Sequence, residues 1–129
     1  MSDYTIGDIT GLMPENSMFK QGDVWLLDLG DKVGHEQGGE RPVLIVSSTS
    51  WNAKSKTPMV CPCTTSKNMG KNSFCVEIDT GDGKKSFVNS SHIYTLSIER
   101  FADARKICSI PFGKKMKVAK IIRRLLYVD

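Results

Sequence analysis

Residues 34–46 read Gly34-His35-Glu36-Gln37-Gly38-Gly39-Glu40-Arg41-Pro42-Val43-Leu44-Ile45-Val46. This is a polar, glycine-rich loop that runs directly into an apolar strand. Gly38 and Gly39 let the backbone turn through positive φ without a side-chain clash, and Pro42 presets the entry to an extended segment. The apolar residues that follow occupy consecutive positions, which predicts a strand over Pro42 to Ser48 that is buried on both faces. Arg41 is left at the loop–strand junction, where a guanidinium can grip a phosphate with two parallel hydrogen bonds.

Upstream of this block, Val24 to Leu29 reads as a strand; downstream, Pro58 to Thr64 reads as a third. Phe74 to Ile78 alternates at the strand period, Asp82-Gly83 marks a hairpin turn, and Ser86 to Ser90 is its partner, running on into His92-Ile93-Tyr94-Thr95. A short helix is expected after Ser97 and a last strand over Lys106 to Pro111. After Gly113 the period changes. Val118, Ile121, Ile122 and Leu125 form one apolar stripe, with Lys117, Lys120, Arg123 and Arg124 largely opposite, as in an amphipathic helix whose stripe packs on the sheet. These segments predict a mainly β fold with α: a small, strongly curved antiparallel sheet or barrel closed by a C-terminal helix. Residues 1–20 lack sustained periodicity and read as an N-terminal extension, leaving residues 21–129 as the domain.

At 129 residues the chain suits one domain with one core, and its 40% hydrophobic and 25% charged content excludes the compositions of disordered and membrane-spanning chains. No apolar run is long enough to cross a bilayer. The first residues carry Asp3 and Asp8 and no apolar core of a secretion signal, so a cytoplasmic protein is expected. The net charge of +4 is unevenly spread: residues 1–99 hold 9 basic and 12 acidic groups, whereas residues 100–129 hold 9 and 2. Such a basic C-terminal segment is either a solvated helix face or an attraction for polyanions, of which nucleic acid is the commonest in cytoplasm. Cys61, Cys63, Cys75 and Cys108 show no metal-ligand spacing and read as free thiols acting as small hydrophobes.

His35 and His92 are the two imidazoles of the chain, and imidazole exchanges protons near neutral pH without a perturbed environment. One or both are therefore candidates for acid–base work, with a polar turn residue (His35) and a sheet cap (His92) as the alternatives. Glu36 and Gln37 either contact a ligand or brace the loop. The polar stretch from Thr65 to Lys71, with Ser66 and Lys67, offers a surface that can track phosphates. Trp25 and Phe87 are expected in the core; Trp51, in a polar stretch, is a candidate for base stacking or for a dimer contact.

Gly22-Asp23-Val24-Trp25, the block from Gly34 to Val46, Asn52, and Thr64 at the end of a strand together resemble the MazF/PemK family of toxin endoribonucleases, over roughly residues 20 to 127. The resemblance implies a small SH3-like antiparallel β-barrel with a C-terminal helix, as in CcdB and MazF, and a homodimer. It further implies sequence-selective cleavage of single-stranded mRNA with no metal and no other cofactor, an acidic cognate antitoxin, and no membrane association. By motif match, Arg41, Thr64 and His35 are the catalytic candidates. Glu36, Gln37, Ser66, Lys67, Asn89, Ser91 and His92 fall on the RNA-binding side. The chain departs from the family pattern where many members carry an acid and a glutamine: Ser91 and His92 stand there, and Asn89 replaces an arginine of the PemK branch. The alternative reading is a non-catalytic RNA- or protein-binding module on the same fold, of the gyrase-inhibitor kind.

Overall fold

The computed structural model describes residues 19–31, 33–36, 38–81 and 83–129. Strand β1, Asp23–Asp28, pairs antiparallel with β2, Glu40–Ile45, with Val24 opposite Leu44 and Leu27 opposite Arg41. Strand β3, Met59–Thr64, continues on the far side of β2, Leu44 opposite Cys61 and Ile45 opposite Val60. Because side chains alternate along a strand, this register sorts the three strands into two apolar layers. Trp25, Leu27, Val43, Ile45 and Val60 pack on one face with Phe19, Leu96, Ile98 and Phe101. Val24, Leu44, Cys61 and Cys63 pack on the other with Val76, Ile78, Val88, Ile110 and Val118. The central strands are thus buried on both faces, as the unbroken apolar run of β2 predicts.

The other edge of β3 is shared. Its C-terminal end pairs with β5, Lys85–Asn89, and its N-terminal end with β6, Tyr94–Thr95. β5 also forms a hairpin with β4, Cys75–Asp79. β7, Arg105–Ser109, completes the far edge against β1, with a register shift between Val24 and Trp25 that bends the strand. The sheet order β4-β5-β3-β2-β1-β7 is that of one curled antiparallel sheet, the fold class predicted from the strand pattern. Of the expected Asp82-Gly83 turn, Asp82 lies outside the described residues.

Local structure departs from or adds to the sequence reading at several points. The segment after Ser90 does not prolong β5. The Asn89 side chain accepts the Ser91 backbone N–H at 3.2 Å, turning the chain, and β6 crosses to the other end of β3. Residues Thr49–Ser55 form helix α1, capped where the Ser48 hydroxyl accepts the Trp51 N–H and ended by Lys56 at φ 58°. Its buried Asn52 donates its amide to the Phe19 carbonyl at 3.0 Å. Trp51 is 45% exposed on this helix. A one-turn helix α2, Lys67–Gly70, sits in the polar stretch from Thr65 to Lys71, whose sequence carries no helical period. Phe87, expected in the core, is half-buried, and its ring closes over Gly70, where a Cβ would come within 2.7 Å of it.

Helix α3 spans Phe112–Leu125 and docks through Val118, Ile121 and Ile122, while Leu125, expected in the stripe, is 42% exposed. Its Lys114, Lys117 and Lys120 line a groove against β4. Phe19, in the segment read as an extension, is buried against Trp25 and Phe101. Residues 1–18 lie outside the described part.

Candidate active site

The loop between β1 and β2 is cinched at its base. Gly39 N–H donates to the Gly30 carbonyl at 2.7 Å and Leu29 N–H to the Gly39 carbonyl at 3.0 Å. Gly39 holds φ at +77°, a conformation that a side chain would strain. This closure puts the Gly38 carbonyl where Arg41 Nε donates to it at 2.8 Å, while Arg41 Nη1 donates to the Cys63 carbonyl at 3.4 Å. Two carbonyls, Gly38 from the loop and Cys63 from β3, thereby hold the plane of the half-buried guanidinium at the start of β2.

Cys63 precedes Thr64, so the second bond also fixes the distance from Arg41 to the end of β3. The Thr64 hydroxyl oxygen accepts the Ser66 backbone N–H at 3.2 Å, which directs its hydrogen away from Ser66. Arg41 and Thr64 line one cleft of about 300 Å³ with His35, Glu36, Ser66, Met69, Asn89 and His92. Three chain segments far apart in sequence contribute: the glycine loop, the end of β3 with α2, and the turn after β5.

Seven of the residues singled out in the sequence therefore share a single cavity. Lys67 is exposed on α2 and does not wall the cleft. Ser91 is exposed and does not wall the cleft, but its hydroxyl donates at 2.7 Å to the side-chain oxygen of Asn89, which does. Gln37 lies outside the described residues. Met69 is the wall residue the sequence reading did not find; α2 turns it into the cleft, and a single helical turn leaves no periodic signal. The lysines of α3 do not wall this cleft either.

His92 is held on both sides of its ring. Nδ1 faces the Asn89 amide nitrogen at 2.8 Å, and Nε2 faces the His35 carbonyl oxygen at 3.3 Å. The second contact pins the glycine loop to the turn after β5.

The sequence profile of the family described as PemK-like, MazF-like toxin of type II toxin-antitoxin system matches residues 20–126. The chain belongs to that family. Its similarity to the endoribonuclease MazF of Staphylococcus saprophyticus is 36% identity over 103 residues, 78% of this chain and 83% of that protein. To the endoribonuclease PemK of Escherichia coli it is 38% identical over 69 residues, 53% of this chain, and the match spans 52% of PemK's length. Among solved structures, MazF from Deinococcus radiodurans superposes with a TM-score of 0.72 at 26% identity, covering 84% of this chain and 96% of that one. A MazE–MazF structure from the same organism gives 0.68 at 25% identity, covering 84% and 96%. Curled sheet and terminal helix are thus those of the MazF fold.

None of the cysteines of this MazF/PemK-type toxin is in a disulfide. Burial pushes the Cys61 thiol up to about 12 and raises Cys63 further despite the Arg41 charge beside it. Because only the thiolate attacks, Ellman's reagent at pH 8 is expected to leave Cys61 and Cys63 unlabelled in the folded protein and to label them after denaturation. Rapid labelling of either in the native state, followed by mass spectrometry of its peptide, would contradict the burial argument.

Proposed function

We propose that this chain is an endoribonuclease toxin that cuts single-stranded mRNA sequence-selectively and without a metal, in the cytoplasm, as a homodimer held in check by an acidic antitoxin. The enzyme class follows from family membership and from relatives named as endoribonucleases. The observation that carries the mechanism is the placement of Arg41, Thr64 and His35 around one cleft.

Metal-free scission uses the ribose 2′-hydroxyl as nucleophile. The His35 imidazole takes the 2′-proton as O2′ bonds to phosphorus, the P–O5′ bond breaks, and the departing 5′-oxygen takes a proton from water in the open cleft. The products are a 2′,3′-cyclic phosphate and a 5′-hydroxyl. Arg41 stabilises the phosphorane, since its guanidinium stays charged at every relevant pH and fits phosphate oxygens as a fork. Its two carbonyl bonds preorganise it before RNA arrives. Thr64 donates its hydroxyl to a phosphate oxygen or orients the 2′-hydroxyl; Glu36, Gln37, Ser66, Lys67, Ser91 and His92 contact the RNA, and Asn89, buried and engaged by Ser91 and His92, acts on it through them.

The MazE–MazF structure of the Deinococcus relative supports an antitoxin partner. An acidic, flexible antitoxin segment laid over the cleft would compete for Arg41 by charge. No helix among the described residues is long and apolar enough to cross a membrane.

A long single-stranded RNA incubated with the purified protein in EDTA tests the reading. Discrete cuts ending in cyclic or 3′-phosphate and 5′-hydroxyl are expected. Loss of cutting on chelation would point to a metal nuclease, and binding without cutting to a non-catalytic module.

A further inference from the structure

Where the family pattern has an acid and a glutamine, this chain has Ser91 and His92, and the cleft geometry indicates what the replacement does. Asn89 is 2% exposed at the end of β5. Its side-chain oxygen accepts both the Ser91 backbone N–H, at 3.2 Å, and the Ser91 hydroxyl, at 2.7 Å. A backbone N–H can only donate, so this oxygen cannot be exchanged with the amide nitrogen. The nitrogen, also a donor only, is then the atom 2.8 Å from His92 Nδ1. Nδ1 must accept, and the ring proton sits on Nε2, which donates to the His35 carbonyl at 3.3 Å. The Ser91 hydroxyl, 3.2 Å from Nδ1, has its hydrogen committed to Asn89 and does not alter the assignment. Both faces of the ring thus require the same tautomer.

Building on the nuclease reading above, we propose that His92 is a neutral hydrogen-bond donor to the scissile phosphate rather than a proton-transfer group, and that Asn89 is the positioning residue that sets its tautomer. With Nδ1 engaged by Asn89 and Nε2 carrying the hydrogen, the ring aims no lone pair into the cleft to accept the 2′-proton. Surrendering the Nε2 hydrogen would leave an imidazolate. What it offers is a fixed N–H beside Arg41 and Thr64, at present resting on the His35 carbonyl through a long bond that a phosphate oxygen can replace. A donor preorganised in this way lowers the barrier because charge grows on that oxygen as the phosphorane forms. Of the two imidazoles, proton transfer then falls to His35, and His92 with Asn89 supplies part of the stabilisation of the phosphorane.

Nitrogen-15 NMR of the full chain with labelled histidine reads the tautomer directly, with His92→Gln identifying which ring is which. The expected spectrum has His92 Nδ1 unprotonated and Nε2 protonated. Asn89→Asp, which replaces the amide donor by an acceptor, is expected to move the proton signal to Nδ1. In RNA cleavage, His92→Ala is expected to lower kcat by about 100-fold, and His92→Gln, which keeps a side-chain N–H but cannot shuttle protons, by about 10-fold or less. A protonated or averaged Nδ1 in the wild-type protein, or equal losses in the two His92 variants, overturns the proposal. Absence of cleavage by the wild-type protein overturns the nuclease reading and the donor role with it. That result is distinguishable from failure of the tautomer assignment, which leaves wild-type cutting intact and changes only the nitrogen signals.

Discussion

Arg41→Ala should reduce RNA cleavage by about 10²- to 10³-fold, equivalent to roughly 3 to 4 kcal/mol of transition-state stabilisation. The size of the effect reflects where the guanidinium sits. It is half-buried, oriented by the Gly38 and Cys63 carbonyls, and opens onto the cleft that Thr64 and His35 also line. A charge held in place needs no reorganisation as the phosphorane forms. Arg41→Lys keeps the charge but loses the planar fork and both carbonyl bonds, so its activity should lie between those of the wild-type protein and Arg41→Ala. Folding depends on Arg41 much less: two partly exposed bonds to carbonyls contribute on the order of 1 kcal/mol, a shift in Tm of at most about 5 °C. Single-turnover cleavage and thermal unfolding of the same samples separate the two effects. Cleavage by Arg41→Ala at a rate close to wild type would remove the guanidinium from the chemistry.

Phe101→Ala is expected to cost about 3 to 5 kcal/mol of folding stability. Phe101 is 1% exposed on the 3₁₀ turn Ile98–Phe101. Its ring centre lies 4.7 Å from that of Phe19 and 5.6 Å from that of Trp25, the latter edge-on at 90°. Truncation leaves a cavity between two large rings held by separate strands and turns, so the site cannot collapse to fill it. Aromatic pairing adds about 0.5 to 1.5 kcal/mol per contact beyond the area removed from water. Against the 5 to 15 kcal/mol typical of a domain, this is roughly a third or more of the total. Urea unfolding should show a lower midpoint with an unchanged slope. A loss below about 1 kcal/mol would mean that this aromatic cluster does not anchor the core.

The strands that carry the site were legible because their signals are short-range. Alternation, the unbroken apolar run after Pro42 and the paired glycines act over a handful of residues, and they located β1, β2, β3 and the Arg41 junction before any pairing was known. Helix α1 was not legible: it is seven residues long, carries no apolar stripe, and is secured by a buried amide contact from Asn52 to Phe19 across 33 positions of chain. β6 was placed wrongly because apolar pattern alone continues past Ser90, whereas the Asn89 side chain, by taking the Ser91 N–H, ends the strand there.

Amino-acid order alone was enough for the curled sheet, the terminal helix and the presence of an arginine at a rigid bend, since turn chemistry and side-chain periodicity are written in neighbouring residues. Chain closure decided which groups face one another. Arg41 meets the Cys63 carbonyl 22 positions away, and His92 meets the His35 carbonyl across 57. Hydrogen-bond direction, and with it the tautomer of His92, depends on every partner around the ring at once, and those partners assemble only when loop, strand end and turn converge on the cleft.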